Sequence, residues 1–143
     1  MLQLQNLREN REDIIQALGK RNLEAEAMVD AVLSLDEKRR SVQAELDSTL
    51  AEANTLSKEI GNLFKSGKAD EAQALKAKTG ALKESSKTLT EALNEAGKAL
   101  EEALYVIPNV PHPSVPKGST EDDNEEIYNE GKIPKLFEGA LPH

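Results

Sequence analysis

Three observations predict an all-α chain built around a long antiparallel α-hairpin, a two-stranded coiled-coil arm. Two series of mostly small and apolar residues recur in steps of three and four through the middle of the chain. A short polar break containing Gly67 separates them. Aromatic residues make up only 3% of the 143, and the 38% hydrophobic content comes mostly from Leu and Ala. Such a composition suits thin helix–helix seams better than a thick globular centre.

The elements follow in order. Up to about Gly19 the pattern predicts a short amphipathic helix, with Asn10 as N-cap, Asp13 at N3, and Ile14, Ile15 and Leu18 on one face. A second helical pattern starts near Leu23, with Met28, Val32 and Leu35 on one side. Ser34-Leu35-Asp36-Glu37 reads as a capping box, so the first long helix begins there or runs through from further back. With Leu35 as a heptad d position, the first seam is Leu35, Arg39, Val42, Leu46, Thr49, Ala53, Leu56, Ile60 and Leu63. The second is Ala72, Leu75, Thr79, Leu82, Ser86, Leu89, Leu93, Ala96, Leu100, Ala103 and Ile107. Gly67 suits the left-handed residue after a helix, and Asp70 with Gln73 suits the N-cap of the next. Two such helices joined by about four residues fold back antiparallel. The hairpin is expected over about 27–107 with its tip at 65–70. Arms of about 30–36 residues reach roughly 45–55 Å at 1.5 Å per residue.

Pro108 cannot continue the helix. Pro108, Pro111, Pro113 and Pro116 then mark an extended, Pro-rich linker, followed by the acidic run Glu121-Asp122-Asp123-Asn124-Glu125-Glu126. This divides the chain into a helical arm, 1–107, and a linker, 108–143, too poor in apolar residues to fold alone.

Several function classes fall away. Without cysteine there are no disulfides, thiolate metal sites or Cys nucleophile, which fits a reducing, cytoplasmic setting. No apolar run approaches the roughly 20 residues of a membrane span, and Met1 to Arg11 lacks the apolar core of a signal peptide. No phosphate-cradling GxxxxGK[ST] or GxGxxG occurs. His112 and His143 lie in the linker and at the terminus, too few for a metal site. Asp122, Asp123 and Glu125 lack the Gly and final Glu of a calcium loop. The segment is therefore expected to hold no catalytic residue, cofactor or metal.

A net charge of −8 argues against a nucleic-acid surface for the chain as a whole, but the charge is segregated. Between Lys58 and Lys87, seven lysines stand against four acids, giving +3. The remaining segments are all acidic: −2 over 1–35, −5 over 36–57 with 88–107, and −4 over 108–143. Lys58 and Lys65 fall at f positions, seven apart, on the first helix; Lys76 and Lys83 fall at e positions on the second. Each pair forms a column of ammonium groups about 10 Å apart along the arm. Lys58, Lys65, Lys68, Lys76, Lys83 and Lys87 are the candidate binding residues, as mobile point charges for backbone phosphates. Phe64 is the only ring in this half, so stacking platforms for single strands are missing, which points away from single-strand base readout and toward double-helical backbone and shape. The alternative is a protein-interaction hairpin or a prefoldin-like chaperone arm. That reading wants an apolar tip, whereas this one is lysine-rich apart from Leu63 and Phe64.

The order of parts also resembles a known family. Leu7-Arg8-Glu9-Asn10 leads to Lys20-Arg21, then Leu35-Asp36-Glu37-Lys38-Arg39-Arg40, then Asn54 and Ser57-Lys58-Glu59-Ile60-Gly61. The returning helix closes with Ile107-Pro108-Asn109-Val110-Pro111, Val115-Pro116, Gly118 and Asp123-Asn124, the most specific stretch. Across essentially its whole length the chain resembles the N-terminal tRNA-binding arm of bacterial seryl-tRNA synthetase. The resemblance implies a hairpin that projects from a class II catalytic domain and grips the long variable arm and elbow of serine tRNA. It implies that the arm of one subunit serves the active site of its dimer partner, and that the full-length enzyme uses ATP and magnesium to attach serine. The catalytic motifs are expected beyond His143. Lys58, within its five-residue motif, carries over by position. One departure is that Glu130-Gly131 stands where the family often has an aromatic-Gly pair.

Overall fold

The computed structural model describes residues 2–132, 137 and 139. Four helices follow in order: α1 (Leu4–Glu9), α2 (Arg11–Gly19), α3 (Ala25–Lys65) and α4 (Ala69–Val106), with a 3-10 turn over Glu121–Asp123. No strand occurs among the described residues. The predicted all-α hairpin is present, with α3 and α4 packed against each other along their length.

The first stretch holds two short helices where the sequence pattern predicts one. Asn10 sits between them at φ −126°, its N–H closing α1 on Asn6 O at 2.9 Å and its carbonyl starting α2 from Ile14 N at 3.1 Å. Its side chain does not cap α2 as expected; Nδ2 donates instead to Asn6 Oδ1 at 2.6 Å. Glu12 and Asp13 in the first turn complement the helix dipole of α2. Ile14 and Leu18, four apart, are buried with Leu7 of α1.

Helix α3 runs straight through Ser34, which caps nothing, and is 41 residues long; α4 has 38. The early start follows from packing: Ala25, Val29 and Val32 are buried against α1, α2 and the end of α4. Burial of Val29 and Val32 contributes about 1.5–3 kcal/mol each. The base of the arm is thus a small core of Leu7, Leu18, Val29, Val32, Leu100, Leu104 and their neighbours. Beyond it only two layers remain. There the predicted seam residues Val42, Leu46, Thr49, Ala53, Leu56, Ile60 and Leu63 are all at least partly buried, as are Ala72, Leu75, Thr79, Leu82, Ser86 and Leu89 on α4.

At the tip Gly67 takes φ +76°, the left-handed value expected of it. Lys68 N donates to Leu63 O at 3.0 Å and Gly67 N to Phe64 O at 3.2 Å, the paired bonds of a Schellman end. This turn is so tight that α4 starts at Ala69, with Lys68 in the N-cap place; Asp70, expected there, lies inside the first turn beside Glu71.

Helix α4 ends at Val106, and Ile107, buried and extended at ψ 118°, precedes Pro108 as a pre-proline residue should. The linker that follows is irregular, yet it is clasped to the base. Lys20 Nζ donates to the carbonyls of Pro113 and Val115 at 2.8 and 3.0 Å. Gly118 N returns a bond to Lys20 O at 3.2 Å, and Asn22, at φ 54°, donates to Ser119. A side chain at Gly118 would drive its Cβ into that of Asp123, so only glycine fits this approach. Asp123 Oδ2 accepts the N–H groups of Ser119 and Thr120 at 2.7 and 3.1 Å, and those bonds hold its carboxyl below the ordinary aspartate range. Glu125 to Lys132 are exposed throughout.

Candidate nucleic-acid interface

The outer half of the hairpin presents its lysines on a solvated surface. Lys58, Lys65, Lys68, Lys76, Lys83 and Lys87 are all exposed. Lys58 and Lys65 stand on α3 two turns apart; Lys76, Lys83 and Lys87 stand on α4; Lys68 lies in the tip. Among the described residues, Lys58, Lys65, Lys76, Lys83 and Lys87 have no acidic partner within 4.0 Å. Lys68 is the exception, with Glu71 Oε1 at 3.1 Å. The seventh lysine of this half, Lys78, crosses the hairpin to Glu52 at 2.8 Å, and that bond raises its pKa. It ties α4 to α3 and is occupied in doing so.

The long helices fix the spacing of these charges. Residues seven apart on one helix repeat nearly the same angle, so the ammonium groups form rows about 10 Å apart rather than a cluster. Such rows neutralise successive anionic groups along a polymer and ask for no fixed bonding geometry.

At the base several basic side chains have other work, although Arg21, Lys38, Arg40 and Lys98 are exposed as well. Arg8 reaches Asp36 through Nε at 2.7 Å and Nη2 at 2.6 Å, and Arg39 Nη2 reaches the other oxygen at 3.1 Å. Asp36 is 2% exposed, the one buried charged residue among those described. Arg11 forms a two-bond fork on Asp30, both at 2.7 Å, which pushes the Asp30 carboxyl below its ordinary range. Lys20 is spent on the linker carbonyls. These ion pairs escape the heptad pattern, although Arg39 at a seam position signals a need for a nearby carboxylate. Asp36, three residues earlier on α3, supplies it.

No group of three or more His, Asp or Glu residues among the described ones is placed to hold a metal ion. Asp123, within the acidic run of the linker, is committed to backbone N–H groups. No helix among the described residues is long and apolar enough to cross a membrane.

Comparison with known proteins agrees with this architecture. Residues 1–111 match the family model of the seryl-tRNA synthetase N-terminal domain. The chain is 39% identical over 143 residues to the serine–tRNA ligase of Salinibacter ruber, covering all of this chain and 33% of that protein. It is 39% identical over 146 residues to the enzyme of the same name from Mesorhizobium japonicum, with 34% of that protein covered. With the Alkaliphilus oremlandii serine–tRNA ligase it shares 43% identity over 127 residues, 89% of this chain and 29% of that one. The chain thus spans about a third of the length of these curated relatives. The hairpin, its helical base and the motifs that join them place the chain in the seryl-tRNA synthetase N-terminal domain family.

Proposed function

We propose that residues 1–107 are the tRNA-binding arm of a cytoplasmic serine–tRNA ligase and that 108–143 lead toward its catalytic domain. The observation that carries this reading is the set of exposed, unpaired lysines, Lys58, Lys65, Lys76, Lys83 and Lys87, on the outer half of a stiff hairpin. A stiff arm with cations along its far half can lie on an A-form stem and meet its phosphates and 2′-hydroxyls. Such contacts position an RNA without reading its sequence. Length then acts as the selector: only a tRNA with a long variable arm offers enough stem to meet both rows. The acidic base and linker repel RNA from the wrong surfaces and leave the outer arm as the landing site.

The same reading assigns the full-length protein the ATP-dependent attachment of serine to its tRNA. It has the arm of one subunit serving the active site of its dimer partner. ATP and magnesium would be held by the remainder of such an enzyme.

The test is a filter-binding titration of serine tRNA against full-length protein carrying Lys58→Glu, Lys65→Glu, Lys76→Glu and Lys83→Glu together. Affinity is expected to fall at least about 100-fold, and the slope of log K on log salt to flatten by roughly three. Unchanged affinity would overturn the reading.

A further inference from the structure

Phe64 stands out on the tip. It is 52% exposed on the last turn of α3, while its neighbour Leu63 is half-buried in the seam. It is the only aromatic residue between Lys58 and Lys87, and Lys65, Ser66 and Lys68 beside it are all exposed. The seam has no use for the ring, since the register passes through Leu63 and Ile60. The backbone under it is nevertheless fixed: the carbonyls of Leu63 and Phe64 accept the two bonds that close the helix end at Gly67. An apolar ring is thus held at the far point of the arm, with Lys65 and Lys68 beside it in sequence and Asp70 and Glu71 opening α4 after the turn.

We infer that Phe64 stacks on one nucleobase of the bound RNA, at a place where a base stack ends and leaves a π-face uncovered. This rests on the reading of the arm as an RNA-binding element and extends it from charge to a base contact. The chemistry favours a nucleobase as the occupant. The ring ends a half-arm that carries a net +3 from Lys58 to Lys87, which suits a polyanion, and a base brings a flat π-face to it. A single ring cannot track a strand, but it suffices for one base. Its position beyond Lys58 and Lys83 along the hairpin directs it past the stem that the lysine rows follow, to a loop or stack end. The contact is sequence-tolerant, because every base has a π-face. It adds affinity without adding charge.

Serine tRNA binding to full-length protein with Phe64→Ala, Phe64→Leu and Phe64→Trp tests this. Both the Ala and Leu variants are expected to lose at least about fivefold in affinity, with the salt slope unchanged, while Trp equals or exceeds the parent. Circular dichroism should show all three as helical as the parent, since the ring supports no core. If Phe64→Ala binds within twofold of the parent while the lysine variants fail, stacking is wrong and the RNA reading stands. Should neither set of variants change binding, both readings fall. A Leu variant that retains full affinity would mean simple apolar contact and would overturn stacking. Phe64-dependent binding to phosphatidylserine vesicles or to a denatured protein, without Phe64-dependent RNA binding, would reassign the tip to those partners.

Discussion

The two ends of the hairpin share a secondary structure but differ in what holds them. At the base, α1 and α2 add a third layer, so Val29 and Val32 of α3 are removed from solvent and a carboxylate, Asp36, is buried between two arginines. Over the outer half, α3 and α4 have only each other. Their seam runs through Ala53, Thr49, Thr79 and Ser86, which permit close approach but bury little apolar area. Charge changes sign further out, with −5 over 36–57 and 88–107 together and +3 from Lys58 to Lys87. Stability is concentrated where the arm is anchored, and the outer half is left to present cations on a rod with little to lose from redecoration.

The largest test of this contrast is a pair of truncations. Leu18→Ala, in the three-layer base, is expected to cost about 3–5 kcal/mol and lower the melting transition of the whole arm. Leu56→Ala, in the two-layer seam, should cost about 2 kcal/mol or less, because the site borders solvent and can relax. Native-state hydrogen exchange would place its effect in the outer amides alone. Equal global effects would erase the distinction.

Asp36→Ala comes next. Arg8 and Arg39 are each about one-third exposed and can turn to water, so the loss should be about 2 kcal/mol, below that of a fully buried pair. Adding Arg8→Ala should restore part of it in a double-mutant cycle read by urea denaturation. Strict additivity would show that the pair adds no stability.

The linker offers the smallest effects. Gly118→Ala forces Cβ against Asp123 and should open the clasp, seen as faster proteolysis across 113–120 with the helical melting transition nearly unmoved. Acid should do the same more gently. Asp123 is held below its ordinary value of 3.8 by the N–H groups of Ser119 and Thr120. Its contribution is complete above that value and is lost as the pH falls through the lowered one. The Ser119 and Thr120 amide resonances should report this below about pH 3.8, whereas movement already near pH 5 would contradict it.

Much of this organisation was legible in the residues. The 3- and 4-residue steps identify the seam down to Thr49 and Ser86, because heptad geometry needs only the pattern of small and apolar side chains. The turn at Gly67 was readable for the same kind of reason: a left-handed residue at a helix end is a local requirement. Less legible was whatever depends on distant partners. Asn10 reads as a cap, yet its side chain bonds back to Asn6. Ser34 reads as a helix start, yet packing of the preceding turns on α1 and α2 carries the helix through it. Asp70 reads as a cap, yet the tight tip places it inside the helix. Lys20 enters the sequence reading only in the Lys20-Arg21 pair, and nothing local says that its ammonium closes on carbonyls more than 90 residues away. Of the candidate site, the sequence yields the exposed rows, and the structure removes Lys68 from the unpaired set through Glu71.

That clasp also decides where the arm can swing from. Because Lys20, Asn22 and Gly118 weld the linker to the base, the solid body ends near Asn124 rather than at Pro108, and Glu125 is where a joint could first act. From its root at Ala25 the arm is roughly 60 Å long, so ten degrees of play at such a joint would carry the tip about 10 Å. That is about the spacing between successive lysines in a row. Loosening a few hydrogen bonds at the root would therefore change where the far end can reach.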